Sequence, residues 1–477
     1  MKFTVASHAG LYVENNDRSL LIDPWLIGSC YWRSWWNFPE PDRKFINNLK
    51  PNFIYISHHH WDHFHGPSLR LFDPAIKIYL PLINSDFMVR DLRKIGFKNV
   101  EEIPHGTGVK LGPDFHLFSF QAGIEVDSSV VITNGATTLL DVNDCKLFGL
   151  PLRQITDRFK KFDFVFRSHS NASCIPYCIE DHTQMFGLVR SSQEYIEEFT
   201  NFALHVEASY AIPFASNHCF LHRETFRFND TVVDPIMVQE YYNKKADGLK
   251  LKTRCIVMPP ESSWSEEKGF SIKDFDYGNK KQHLDFLSAK YSKILSEQYT
   301  KEASTLTDHK AFKTYFGTFF RSLPFFLFLY HVKVLFKILD RTGYKYWIID
   351  FNKRRVNEVN SPIDSTFIIE SSAFVINDCV RKKMFSVWHP SKRLKITMSA
   401  SGKLFDVVSF FCLLEFFETG ILPIRKNFTS RSLSVRLRRW RDIVELTKIV
   451  FNYLIIRKPL KRSDFFPINE NRLHSHN

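Results

Sequence analysis

Phe53-Ile54-Tyr55-Ile56-Ser57 runs directly into His58-His59-His60-Trp61-Asp62-His63, and the reading of this stretch decides the fold. The first five residues are mostly apolar, β-branched or aromatic, the composition of a short buried strand. A turn at the end of that strand brings alternate imidazoles, His58 and His60, to one metal. It leaves Asp62 and His63 to reach a second metal beside it. Imidazole together with carboxylate suits zinc or non-haem iron. A chance cluster of surface histidines would need neither the strand nor the alternation nor the aspartate. The stretch reads as a metal site.

The surrounding composition is that of a globular chain. Of 477 residues, 44% are hydrophobic and 24% charged, which excludes a disordered protein. The net charge of +13 favours acidic partners such as phosphate esters, nucleotide sugars, nucleic acid or an anionic membrane, or is simply the basic colour of a Lys-rich proteome. The amino terminus Met1-Lys2-Phe3-Thr4-Val5-Ala6 runs straight into strand-like sequence and reads as no signal peptide. Eight cysteines are scattered without a disulfide framework, so a reducing cytoplasm is the expected compartment.

Read as His58-x-His60-x-Asp62-His63, the opening stretch resembles the HxHxDH signature of the metallo-β-lactamase fold. The resemblance extends to Ser7-His8-Ala9-Gly10, Leu20-Leu21-Ile22-Asp23-Pro24-Trp25, Trp35-Trp36-Asn37-Phe38-Pro39, Asn143-Asp144-Cys145 and Ile212-Pro213-Phe214-Ala215. In that order these are similar to the hydrolase-like part of CMP-N-acetylneuraminate hydroxylase. They resemble more loosely the ascorbate-6-phosphate lactonase and N-acylphosphatidylethanolamine phospholipase D branch. The resemblance covers residues 1–230 and thins to echoes such as Met384-Phe385-Ser386-Val387-Trp388. It implies an α/β protein, an αββα sandwich over 1–230, with a mixed, partly helical extension after it.

Strand-like runs such as Lys77-Ile78-Tyr79-Leu80 and Ser129-Val130-Val131-Ile132-Thr133 fit that sandwich, as does a helix over Gln193–His205. Residues 231–310 read as a polar connector, and 311–477 as a basic, aromatic-rich region. The run Leu323–Tyr330 is too short to span a bilayer and reads as a core or interfacial helix. Arg436-Leu437-Arg438-Arg439-Trp440-Arg441 reads as an amphipathic helix with a solvated basic face. Peripheral membrane contact is an alternative there, and no specific nucleic acid is expected.

The resemblance also implies the remaining ligands. Asp144 takes the position of a carboxylate bridging two cations, with Asp141 as fallback; such a bridge makes a shared water acidic and nucleophilic. The third histidine of the pattern is missing from Gln121-Ala122-Gly123-Ile124-Glu125-Val126-Asp127. Glu125 is expected in its place, with Asp127 second. Trading imidazole for carboxylate tilts the site from zinc towards iron or manganese. Some oxygen-activating members of the superfamily resemble this arrangement, using a Glu there to hold di-iron. His222 is expected as the last ligand, ahead of His218. His169 is expected to ligate or contact substrate, His8 to orient a ligand or substrate, and Asp62 to position the nucleophile. Asp23 is expected to support a ligating histidine and Trp25 to floor the cleft. A plain packing role stays open for each lone residue.

Two divalent metal ions, iron before zinc or manganese, then imply an oxygenase acting on an anionic substrate such as a nucleotide-activated sugar. Cys174 and Cys178 lack the Cys-x-His partners of a Rieske cluster, so a separate electron-donor protein is expected. The alternative is a hydrolase of a phosphodiester, lactone or amide. A non-catalytic binding module is the third reading.

Overall fold

The computed structural model describes residues 1–122, 127–180, 191–324 and 330–454. The strand behind the histidine-rich turn, Phe53–Tyr55, lies parallel between Arg18–Ile22 and Lys77–Pro81. Ile54 and Tyr55 are fully buried in different cores, so both faces of this strand are covered. That explains a continuous apolar run where an exposed strand would alternate.

This strand belongs to an eight-stranded sheet that faces a seven-stranded one. Between them, Phe3, Val5, Leu20 and Ile22 meet Leu117, Ile132, Phe164 and Phe166. Phe3 sits edge-on to Phe164 and Phe166, with centroids 4.8 and 5.2 Å away. Helix Phe87–Lys94 covers the outer face of the first sheet through Met88, Val89 and Leu92. Helices Gly149–Arg158, Ser192–His205 and Pro235–Gly248 cover the second. The Ser192–His205 helix starts where the sequence places it because Ser191 and Glu194 form a reciprocal capping box. Its Phe199 and Phe202 are buried. Helix, sheet, sheet, helix is the metallo-β-lactamase sandwich.

The sheets continue past the boundary expected at 230. Arg254–Cys255 pairs with Ala208–Phe214, and Ser263–Ser265 pairs with Lys2–Val5 and then with Gly269–Ser271. These strands are two or three residues long, too short to interrupt the polar texture of the expected connector.

The extension is built on a five-stranded sheet, in the order Arg355–Val359, Gly343–Asp350, Lys333–Asp340, Phe367–Ser372, Lys395–Met398. Helix His309–Ser322 packs on it through Phe312, Phe316 and Phe319. This helix ends before the apolar run at Leu323, and residues 325–329 of that run lie outside the described residues. The core here is continuous with Trp25, Tyr31, Trp35 and Phe220 of the sandwich, so no solvent layer separates the two. Among the described residues no helix is long and apolar enough to cross a membrane.

Candidate metal centre

The expected ligands gather because parallel strands end together. Asp23 follows Arg18–Ile22, His58 follows Phe53–Tyr55, Asp144 follows Thr138–Asn143, and His169 follows Phe162–Ser168. Ligands of open α/β sheets sit beyond such carboxyl ends. His8 comes from a tight turn closed by the Ala6 N–H donating to the Gly10 carbonyl at 2.6 Å. A Cβ on Gly10 would lie 2.3 Å from Ser7 Oγ and 3.2 Å from the Ser7 nitrogen, so any larger residue would force the Ser7 hydroxyl aside.

Two triads result: His58, His60 and Asp144, and beside them His8, Asp62 and His63. The second is fully buried, whereas His60 and Asp144 are only half-buried and mark the open side. Asp144 Oδ1 lies 3.7 Å from His58 Nε2 and 3.6 Å from His63 Nε2, between the triads. Its aim is set by Asn143, held at φ 45°, whose Oδ1 accepts the N–H groups of Asp144 and Cys145 at 2.6 and 3.1 Å. A left-handed residue costs on the order of 1 kcal/mol or more, which a self-bonding Asn side chain offsets.

One carboxylate fixes the tautomers on both sides. The Ser57 hydroxyl donates to Asp23 Oδ2 at 2.6 Å, so its oxygen accepts from His58 Nδ1 at 2.9 Å. His63 Nδ1 donates to the same Asp23 oxygen at 2.8 Å. Both Nε2 lone pairs are thereby left facing Asp144. His58 Nε2 and His60 Nδ1 converge to 2.8 Å. Asp62 is oriented by the Tyr31 hydroxyl, which donates to Oδ1 at 2.5 Å, while Oδ2 lies 3.2 Å from His8 Nε2.

Electrostatics agree with the geometry. Burial alone would lower the pKa of His63, but Asp62, Asp144 and Asp23 together hold it well above its ordinary value. Burial likewise opposes the charge on Asp62, yet His63 and His8 keep its pKa well below the usual carboxylate range. The pocket attracts positive charge. Both ring nitrogens of His8, Nε2 of His60 and His63, and Asp144 Oδ1 are buried without a hydrogen-bond partner among the described residues. Leaving such atoms unpaired costs about 1–3 kcal/mol each. A pair of divalent cations fits these donors.

Not every expected residue arrives. Glu125 lies outside the described residues. The flanking pair Gln121 and Ser128 is in register, and the Ser128 hydroxyl donates to the Ser57 carbonyl at 2.7 Å, at the root of the histidine-rich turn. Asp127 is buried near Cys145. Asp141 is buried behind Asp144, and burial together with Asp23 pushes its pKa well up. His222 is brought to neither triad. Its Nδ1 accepts from the Glu224 N–H at 3.2 Å, so its proton sits on Nε2, 3.4 Å from Glu302 Oε2.

His218 stands nearer. Its ring stacks on Trp35 at 3.7 Å and lies 5.4 Å from the His8 ring. Among the described residues its nitrogens have no hydrogen-bond partner. Trp25 packs against His8 with ring centroids 5.4 Å apart. Tyr31 and Ser57 were not singled out by sequence. For Ser57 the signal was there, since it directly precedes His58.

The extension roofs the turn. Ser386 Oγ lies 3.3 Å from His59 Nε2, the His389 ring lies 6.4 Å from His60, and Arg393 donates to the Trp32 carbonyl at 2.8 Å. The echo at Met384–Trp388 thus sits over the metal-binding turn.

The chain has the metallo-β-lactamase fold, with two histidine–carboxylate triads placed to hold metal ions. No family model matches it. A Mycobacterium tuberculosis protein described as a Rieske 2Fe-2S iron-sulfur protein is 29% identical over 252 residues, 49% of this chain and 47% of that one. The cytidine monophosphate-N-acetylneuraminic acid hydroxylase of Mus musculus is 28% identical over 152 residues, 30% of this chain and 26% of that one. The chain thus spans about half, or less, of the length of the curated relatives it matches. Among solved structures, the isothiocyanate hydrolase from Delia radicum gut bacteria overlays 56% of this chain and 99% of its own, at 14% identity and a TM-score of 0.41.

Proposed function

We propose that the chain is a binuclear monooxygenase that hydroxylates an anionic substrate, a nucleotide-activated sugar being the leading class. The observation that carries this reading is Asp144 Oδ1, set between two histidine–carboxylate triads at 3.6–3.7 Å from a ring nitrogen of each. His58, His60 and Asp144 would hold the outer ion, with Glu125 completing it. Asp62, His63 and Asp144 would hold the inner one, with His8 or His218 beside them. Redox-active ions held there supply the reduction of dioxygen. The overall change is balanced: a substrate C–H, one O₂, two electrons and two protons give C–OH and water.

The residues of the chain do the rest. Asp23 and Ser57 orient His58 and His63, while Trp25 and Trp35 keep the inner side dry. His169 borders the His8 side of the cleft as the candidate substrate contact. Lys146, exposed and within electrostatic reach of Asp144 and His389, lies where an anionic group would enter. The similarity to a hydroxylase and to iron–sulfur proteins favours oxygenation and an iron–sulfur electron donor.

The test is anaerobic loading of the full chain with Fe(II), Mn(II) or Zn(II), followed by metal analysis and oxygen uptake under chemical reductant. Two irons per chain and reductant-dependent uptake are expected. Two tightly held zinc ions, no uptake with iron, and cleavage of phosphodiester or lactone substrates would establish the hydrolase instead.

A further inference from the structure

Helix Ser430–Leu454 presents two unlike faces. Ser432, Val435, Arg439 and Asp442 are buried on the inner side. Arg431 and Glu445 fasten that side to the sandwich. Arg431 pairs with Glu102 and donates to the carbonyls of Ile83 and Ser85, and Glu445 accepts from Arg153 and from the Leu150 N–H. On the outer side Leu433, Leu437, Trp440 and Val444 recur at helical spacing and are 55, 63, 55 and 44% exposed. Phe428, just before the helix, is 82% exposed. This stripe fills no core within the described residues.

Charge says what covers it. From Gly420 to Leu454 the acidic residues are Asp442 and Glu445 alone, against basic residues at 425, 426, 431, 436, 438, 439, 441 and 448. Both acids are turned inward, Asp442 on Arg439 and Glu445 on Arg153. The outer face keeps its cations. At 100° per residue, Arg436 falls along one margin of the stripe, and Arg441 and Lys448 along the other. Apolar side chains edged by long basic ones suit a helix lying at the headgroup–acyl boundary, where the basic tips reach up to phosphates. A nucleic acid would match the charge but leave Leu433, Leu437 and Val444 without a partner.

We propose that this helix docks the protein on an anionic bilayer surface. Phe428, Leu433, Leu437, Trp440 and Val444 insert, and Arg436, Arg441 and Lys448 meet the lipid phosphates. The proposal stands apart from the chemistry of the metal centre.

The test is co-sedimentation of the full chain with vesicles of phosphatidylcholine alone or mixed with phosphatidylglycerol. Binding to the anionic vesicles alone is expected, weakening as salt rises. The double variant Leu437→Asp, Trp440→Asp is expected to lose at least roughly tenfold in partitioning. Arg436→Gln with Arg441→Gln is expected to lose about fivefold per charge. All four changes are on the outer face, so metal content and unfolding temperature serve as unchanged controls. Absent vesicle binding, or undiminished binding by the Leu437/Trp440 variant, overturns the proposal. So does a solution dimer abolished by that variant, which would put a second copy on the stripe. So does oligonucleotide binding that tracks the arginines but not the apolar residues, in the absence of vesicle binding.

Discussion

Two buried clusters in this molecule each set a histidine beside a carboxylate and behave in opposite ways. In the triad of His8, Asp62 and His63, the His63 Nδ1 donates to Asp23 from behind, which leaves its Nε2 aimed inward at Asp62 and Asp144. In His222, Glu302 and Arg393, the lone pair of His222 is already spent on the Glu224 N–H. A permanent cation is also in place there, since the Arg393 guanidinium donates to Glu302 at 2.8 Å and to Glu224 at 2.7 Å. A histidine beside a carboxylate is therefore a ligand only when its inward lone pair is free and no arginine has neutralised the site. That difference is invisible in residue type.

The sharpest way to break the contrast is Asp144→Ala, which is expected to reduce bound metal from two ions towards none and activity to background, read by elemental analysis of desalted protein. Retention of both ions would remove the bridge from the account. Next, Glu302→Ala removes one of the two carboxylates on the buried Arg393 and is expected to cost up to about 3–5 kcal/mol of unfolding free energy. Metal per folded chain should not change; its loss would make the second cluster a metal site after all. Asp23→Ala frees both imidazoles to turn and is expected to weaken metal binding by about 10–100-fold in chelator competition. An unchanged affinity would mean that the tautomers are held some other way.

The smallest effect concerns a buried cation set among aromatic rings. Lys392 Nζ reaches the Asn171 carbonyl and Thr231 Oγ1 at 3.5 Å and the ring faces of Phe220, Phe228 and Tyr177. Burial pushes its pKa down to about 8, against a smaller upward pull from Cys178 and Cys174. Between about 8 and 10.5 the unfolded chain holds a proton that the folded one has released, so this lysine makes stability rise with pH across that window. Lys392→Met is expected to flatten that rise and to add roughly 1–3 kcal/mol at pH 7, measured by denaturant unfolding.

The strand-and-turn at 53–63 was legible because its information is local. One buried strand and one alternation bring His58, His60, Asp62 and His63 together, and Asp144 joins from the position that the resemblance marks. His222 is kept from both triads for a long-range reason, since only the fold brings Glu302 and Arg393 to it. The C-terminal sheet was missed because its strands mix apolar and basic residues. Lys337, which reads as basic colour, is paired across the sheet with Glu370 at 3.0 Å. The segment 254–271 was missed because strands that short carry no period.

The roof over the histidine-rich turn gives the ions a schedule. His8, His58, His60, Asp62, His63, Asp144 and His218 all leave the ribosome before Ser386, His389 and Arg393, the residues that settle onto the turn and its neighbours. Domains fold from the amino terminus as they emerge. Nascent chains thus offer an uncovered centre to metal during synthesis, and the arrival of the C-terminal extension seals in whatever was captured.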